Sequence, residues 1–235
     1  MYWHPNLAPF IGFCYEGMLG LARVPCLITP FYENGSIMEY IRKKDIKPQD
    51  AVRMKLLYDV LNGLNELHDQ GIVHGNLKPT NILIDYQGNA VLVEFGLTPM
   101  PWTLRERHSK WDSDCYLAPE LLSITPTPTP TPTFSSDVWA TGMVGLQILS
   151  ENISDVEYEN LNIGPWLVID ALLAEKKPEK AHYPHVPEGA WSAFLLCWAM
   201  EPITRPTVAT LKDLDLARSE DIMMYLFWLV EFQSL

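Results

Sequence analysis

VHGNLKPTNILID, residues 73–85, sets a polar front against an apolar, strand-like tail, and the fold turns on how that junction is read. Ahead of it lies AVRMKLLYDVLNGLNELHDQG (51–71), whose apolar positions 52, 56, 57, 60, 61, 64 and 67 follow helical spacing, with Gly71 at its C-cap. Behind it, NILID and NAVLVEF read as two short strands around the turn Tyr86-Gln87-Gly88-Asn89. A helix, a polar loop and a hairpin in that order bring residues 74–81 and the Glu94 carboxylate to one side of the hairpin. There Lys78 can neutralise a phosphate oxygen, Asn81 offers an amide oxygen to a hard cation, and Glu94 offers a carboxylate. Asn76 stands where a carboxylate would be useful.

Toward the N-terminus, PFIGFCYEG (9–17) and VPCLITPFY (24–32) are short β-rich runs joined by MLGLAR, a plausible hairpin connection. Asn34-Gly35-Ser36 offers a turn and a helix N-cap ahead of IMEYIRKK. Toward the C-terminus the pattern is helical: LAPELL, SSDVWATGMVGLQILS, NIGPWLVIDALLAEK, EGAWSAFLLCWAM and PTVATLKDLDLAR are successive candidates. ITPTPTPTPTF (124–134) interrupts them. Alternating Thr and Pro cannot make a helix and has little to bury, so an extended, solvent-facing insert is expected.

The 235 residues are 48% apolar and 20% charged, which suits one globular domain, or a large lobe with a small one attached. Seventeen Lys and Arg against twenty-nine Asp and Glu leave a formal charge of −12, which repels nucleic acid and anionic membranes; neither is expected as a partner. Cys14, Cys26, Cys115 and Cys197 show no metal-ligand spacing and read as free thiols of a reducing compartment. The start, MYWHPNLAPF, has no signal-peptide pattern, and IMMYLFWLV (222–230) is far short of the roughly 20 residues that span a bilayer. A cytoplasmic or nuclear location and a core-docked C-terminal helix follow as expectations.

The ordered motifs resemble the eukaryotic protein kinases. HGNLKPTN (74–81) is similar to the catalytic loop His-Arg-Asp-Leu-Lys-Pro-x-Asn, and EFG (94–96) to the metal-binding Asp-Phe-Gly. LAPE (117–120) resembles the end of the activation segment, and SDVWATG (136–142) the start of the buried helix that anchors the large lobe. FLLCWAMEPITRPT (194–207) is similar to a late signature of tyrosine and tyrosine-kinase-like kinases. The match runs from His4-Pro5-Asn6 to about Leu216. It implies an α+β kinase-like fold with a small-lobe remnant at 1–30, a large lobe at 31–220 carrying the Thr-Pro insert, and a tail at 221–235. It also implies roles: Glu120 pairs with Arg205, Asp137 accepts backbone hydrogen bonds from the catalytic loop, and His74 packs on Phe95 beside Gly96. Thr29 falls at the gatekeeper position, with Pro30-Phe31-Tyr32 as the nucleotide-binding hinge.

The departures from that pattern are chemical. Asn76 replaces the catalytic aspartate, and an amide is no base at neutral pH. Gly75 replaces an arginine that would pair with an activation-segment phosphate, and Glu94 is one methylene longer than the metal-binding aspartate. No Gly-rich phosphate loop occurs ahead of the hinge and no lysine before Lys43. The resemblance therefore implies a pseudokinase acting as a binding or scaffold module through protein partners. No cofactor follows from the residues alone, and ATP with Mg²⁺, held by Asn81 and Glu94, is expected to bind weakly. Two alternatives stay open: an ATP-dependent Ser/Thr or Tyr kinase represented by a truncated chain, and a non-functional kinase fragment.

Overall fold

A computed structural model describes residues 4–16, 24–96, 114–122, 130–150, 178–214 and 216. It opens on an antiparallel pair, β1 (Gly12–Glu16) and β2 (Val24–Ile28), in register from Gly12↔Ile28 to Glu16↔Val24. Helices α1 (Ile37–Lys43) and α2 (Ala51–Asp69) follow, then a 3₁₀ turn at Pro79–Asn81. A second antiparallel pair, β3 (Ile82–Ile84) and β4 (Ala90–Leu92), comes next. Three helices close the described part: α3 (Phe134–Leu149), α4 (Glu188–Cys197) and α5 (Val208–Asp213). The architecture is α+β, as expected, with two small sheets beside a helical body.

Local chemistry sets the element ends. Ser36 starts α1, its N–H and hydroxyl both donating to Glu39 Oε2 at 2.8 Å. LAPELL, expected as a helix, forms only a 3₁₀ turn at Pro119–Leu121, closed by the Leu121 and Leu122 N–H groups on the Ala118 and Pro119 carbonyls at 2.9 and 3.0 Å. The strand expected over 89–95 stops at Leu92, because Glu94 turns into the left-handed region with φ +57°. MLGLAR, NIGPWLVIDALLAEK, IMMYLFWLV and Thr-Pro residues 124–129 lie outside the described residues. No helix among those described is long and apolar enough to cross a membrane.

The buried stripe of α2 departs from the apolar reading by one residue. Val52 is 41% exposed and Arg53 only 2%. Arg53 is tolerated inside because its guanidinium is saturated by carbonyls: Nε and Nη2 donate to Ile46 O at 3.0 and 2.6 Å. Nη1 donates to Ile148 O at 2.8 Å and Ser150 O at 2.6 Å. The last two carbonyls belong to the end of α3, where a helix leaves acceptors unsatisfied and favours a cation.

Helix α3 is the centre of the molecule, buried at nearly every position from Ser136 to Leu149. Thr133 caps it, accepting the Ser136 N–H at 3.2 Å while donating its own N–H to Ser136 Oγ at 2.8 Å. Gly142 and Gly145 let α4 approach closely. A Cβ at Gly142 would lie 2.6 Å from Trp198 Nε1, and one at Gly145 2.5 Å from the Phe194 ring. Alanine at 145 would gain about 0.5–1 kcal/mol of helix propensity, yet forcing a buried ring aside typically costs about 1–3 kcal/mol. Gly145→Ala is therefore expected to lower stability, read as a lower urea midpoint with an unchanged slope. A raised midpoint would show that the α3–α4 contact is looser than described.

Candidate functional site

The loop at 74–81 owes its path to Asp137, a buried carboxylate in the first turn of α3. Asp137 Oδ2 accepts the His74 N–H and Oδ1 the Gly75 N–H, both at 2.8 Å. Its Oδ2 also lies 3.0 Å from His68 Nε2 near the end of α2. Taking two successive N–H groups on one carboxylate turns the chain sharply, and Gly75 makes that turn at φ +73°. His74 is buried and meets Phe95 edge-on, with ring centroids 6.4 Å apart. Buried Asn81 braces the far side: its Nδ2 donates to Asn76 O at 2.9 Å, and its own carbonyl accepts the Val93 N–H at 3.0 Å. Asn76 and Lys78, half-buried, border a cavity of about 20 Å³ shared with Asp137, Tyr116 and Leu121, room for about one water.

Burial lowers the pKa of His74 from its ordinary value, against the opposing pull of the Asp137 carboxylate. The imidazole is therefore neutral near pH 7, and its Nε2 has no hydrogen-bond partner among the described residues. Glu94, by contrast, is an exposed residue held at φ +57°. Asn81 and Glu94 are the only oxygen donors that the metal assignment rests on; the Asn81 Nδ2 is spent on bracing Asn76, so its Oδ1 is the atom that would face a cation. A long carboxylate on an exposed turn gives Mg²⁺ no fixed octahedral corner. The residues fit a tightly held divalent cation poorly. Among the described residues no group of three or more His, Cys, Asp or Glu could hold a metal ion.

The residues expected at the hinge line a separate groove. Thr29 is exposed, Phe31 is 89% exposed, and Tyr32 is half-buried. Phe31 and Tyr32 line an open groove of about 800 Å³, whose walls include none of Asn76, Lys78, Asn81 or Glu94. Glu120 and Arg205 do meet: Arg205 Nη1 and Nη2 reach Glu120 Oε1 and Oε2 at 2.6 and 2.8 Å, a bidentate pair. Arg205 also donates to Ala199 O at 2.9 Å and Ser135 O at 3.0 Å, and its guanidinium lies 5.0 Å from the Trp139 ring centre. The 3₁₀ turn at 119–121, the start of α3 and the segment before α5 are thereby joined.

Two positions with a part in the site carry no obvious chemical signal. Asn6 is buried, donates its Nδ2 to Ala90 O at 2.9 Å and accepts the Leu92 N–H on its carbonyl at 2.9 Å, pinning the N-terminal segment to β4. Its signal was the triplet His4-Pro5-Asn6, which marks a boundary without naming a bond. His68 sits one residue beyond Leu67 in the α2 pattern, and only its approach to Asp137 makes it part of the loop support.

Two outcomes are expected from these contacts. Glu120→Ala strands a guanidinium that is otherwise enclosed; with Glu120 itself 28% exposed, the loss is expected near about 3 kcal/mol, the lower end for a broken buried pair. Replacing both partners, Glu120→Leu with Arg205→Met, is expected to recover part of it in a double-mutant cycle, and additive losses would contradict the pairing. The His74 pKa is lower folded than unfolded, so the unfolded state binds the extra proton. The contribution is complete above the unfolded value of 6.5 and drains away as pH falls below it, at up to about 1.4 kcal/mol per pH unit. His74→Leu is expected to flatten the denaturation midpoint between pH 6.5 and the acid limb, and an unaltered slope would exclude His74 as its source.

Comparison with known proteins matches the chain to the protein kinase domain over residues 1–215. Cell division control protein 7 of Schizosaccharomyces pombe is 29% identical over 206 residues, 86% of this chain and 17% of that protein. A probable serine/threonine-protein kinase of Arabidopsis thaliana is 30% identical over 224 residues, 88% of this chain and 54% of that protein. Retinal guanylyl cyclase 2 of Homo sapiens is 26% identical over 212 residues, 87% of this chain and 18% of that protein. The chain thus spans about half or less of the length of each of these relatives. With the loop at 74–81, the buried Asp137 and the Glu120–Arg205 pair in one frame, the chain belongs to the protein kinase domain family.

Proposed function

We propose that the chain is a pseudokinase, nearest the tyrosine-kinase-like group by its FLLCWAMEPITRPT signature, acting as a binding or scaffold module with impaired ATP binding and little or no phosphotransfer. One observation carries the reading: Asn76 holds the base position in a loop whose shape is otherwise supported on both sides, by Asp137 and by Asn81. A carboxylate there would accept the substrate hydroxyl proton, whereas an amide has no basic lone pair at neutral pH, and base assistance is worth on the order of a hundred- to ten-thousand-fold in rate. Gly75 leaves no guanidinium to receive an activation-segment phosphate, so that mode of switching is lost as well. The weak donor pair of Asn81 and Glu94 supports impaired nucleotide binding, and no step is assigned to the nucleotide or its metal.

Family membership alone does not imply protein phosphorylation, since one relative bears the name of a guanylyl cyclase. A second reading, a protein kinase of low activity, draws on Lys78 and Asn81, which keep their places in the motif. For the pseudokinase we propose protein partners, with no nucleic acid and no membrane, because the chain carries a formal charge of −12; a cytoplasmic location goes with it. Radiolabelled phosphotransfer with the chain and its Asn76→Asp variant separates the two readings. No transfer above background is expected from the parent, and no Mg²⁺-dependent rise in melting temperature with ATP. Transfer by the parent that disappears in Lys78→Ala would establish the kinase instead.

A further inference from the structure

The open groove of about 800 Å³ is left without a role by the catalytic-loop chemistry. One wall is the segment Pro30-Phe31-Tyr32-Glu33, another carries Pro5 and Pro9, and the third is the β3–β4 turn with Tyr86. Its floor is Val91, part of a small cluster in which Ala8, Val91 and Val93 are buried and Tyr32 packs against them. Phe31 and Tyr86 both line the groove, at 89% and 90% exposure. Single exposed apolar residues are ordinary, but two unburied aromatics framing a groove mark a contact surface.

The walls are fixed before anything binds. Asp85 Oδ1 accepts the N–H groups of Gln87 and Asn89 at 2.9 and 2.8 Å, which sets the turn that carries Tyr86. Lys55 Nζ holds the same turn from α2, reaching Asn89 Oδ1 at 2.6 Å and Gly88 O at 3.0 Å. Asn34 Nδ2 donates to Asp85 O at 2.6 Å and so ties the second wall to the third. A preformed groove spares a ligand the cost of ordering it.

Its lining is acidic. Among the described residues Glu33 and Asp85 line the groove and no Lys or Arg does, while Lys55 reaches the β3–β4 turn from α2. Burial, and after it the Asp85 charge, push the Tyr32 hydroxyl pKa up. Phosphates and acidic peptides are therefore repelled. Rings of Phe and Tyr between rigid proline walls suit the flat faces of a polyproline II segment, which carries its shape into the complex at little entropic cost. The exposed Glu33 carboxylate at the rim, beside Phe31, suits a cation next to those prolines by ion pairing and by contact with the ring face.

We propose that this groove docks an extended proline-rich segment of a partner protein that carries an arginine or lysine beside its prolines. This chain's own Thr-Pro tract has the proline content but no cation, and a second copy would bring a further −12 of charge toward an acidic groove. The groove shares no wall with residues 74–81, although Pro30, Phe31 and Tyr32, which line it, are the residues that the kinase resemblance assigns to the hinge.

The test is fluorescence anisotropy with a labelled peptide of one arginine followed by nine prolines, against the full chain. Saturable binding is expected, at least about fivefold tighter than for the same peptide headed by glutamate. Glu33→Gln is expected to erase that preference. Phe31→Ala with Tyr86→Ala is expected to weaken binding about tenfold or more, as loss of aromatic anchors does, while leaving the melting temperature unchanged because both rings are solvent-exposed. Absence of saturable binding, or binding indifferent to the Phe31 and Tyr86 substitutions, would overturn the proposal. So would tighter binding of a peptide of residues 124–134, which would assign the groove to self-association.

Discussion

A single buried carboxylate organises the molecule. Asp137 is out of water, and an ionised group there is tolerable only if its lone pairs are taken up. Three donors do so: the N–H groups of His74 and Gly75, and His68 from α2. Because the carboxylate belongs to the first turn of α3, where the helix dipole favours negative charge, α3 sets the path of the loop after α2. The opposite end of α3 is held by the same partner helix through Arg53, whose guanidinium takes the Ile148 and Ser150 carbonyls. Residues 53 and 68 lie roughly 22 Å apart along a helix rising 1.5 Å per residue, so α2 grips α3 at two distant points and fixes its axial position.

Between those grips the contact is apolar and depends on small residues. Gly142 and Gly145 bring the α3 backbone close enough for Trp198 and Phe194 to fill the space where side chains would stand. Arg205 completes the arrangement from the far side, its guanidinium close to Trp139 and its fork on Glu120. Dry ion pairs recover little net energy beyond their desolvation, whereas bidentate geometry tolerates no other partner orientation. The pair is better understood as fixing where the 119–121 turn sits than as a source of stability. The same turn, through Leu121, forms one wall of the small cavity beside Asn76 and Lys78.

Much of this frame is legible in the sequence, and what is not has identifiable causes. HGNLKPTN, the Asp at 137 and the Glu and Arg at 120 and 205 point to one another through a family pattern, and their positions in space agree with that order. Helix periodicity placed α2 but put Val52 inside and left Arg53 out, because an apolar scale cannot foresee a cation saturated by four carbonyl contacts from two other elements. LAPELL has the apolar content of a helix but closes only a 3₁₀ turn, and its Glu120 is bound to Arg205, a long-range contact that local propensity does not register. Asn6 was beyond reach for a different reason: its bonds go to the backbone of β4, more than eighty residues away in sequence, and backbone partners leave no trace in residue type.

The groups that hold the loop are not those that would do chemistry in it. His74, Asn81 and Asp137 are buried and bonded, so changing any of them disturbs the fold itself. At 75 and 76 the bonds to Asp137 and Asn81 are made by backbone atoms, and the half-buried Asn76 side chain borders the small cavity. At 75 the constraint even runs the other way. An arginine at φ +73° would carry a left-handed cost of about 1–2 kcal/mol, which Gly75 avoids. Glu94 still bears that cost at φ +57°, in the position where a metal ligand would be held. Folding alone therefore permits the substitutions at 75 and 76 without requiring Asn76 in particular. An amide at 76 differs from a carboxylate chiefly in its capacity to accept a proton.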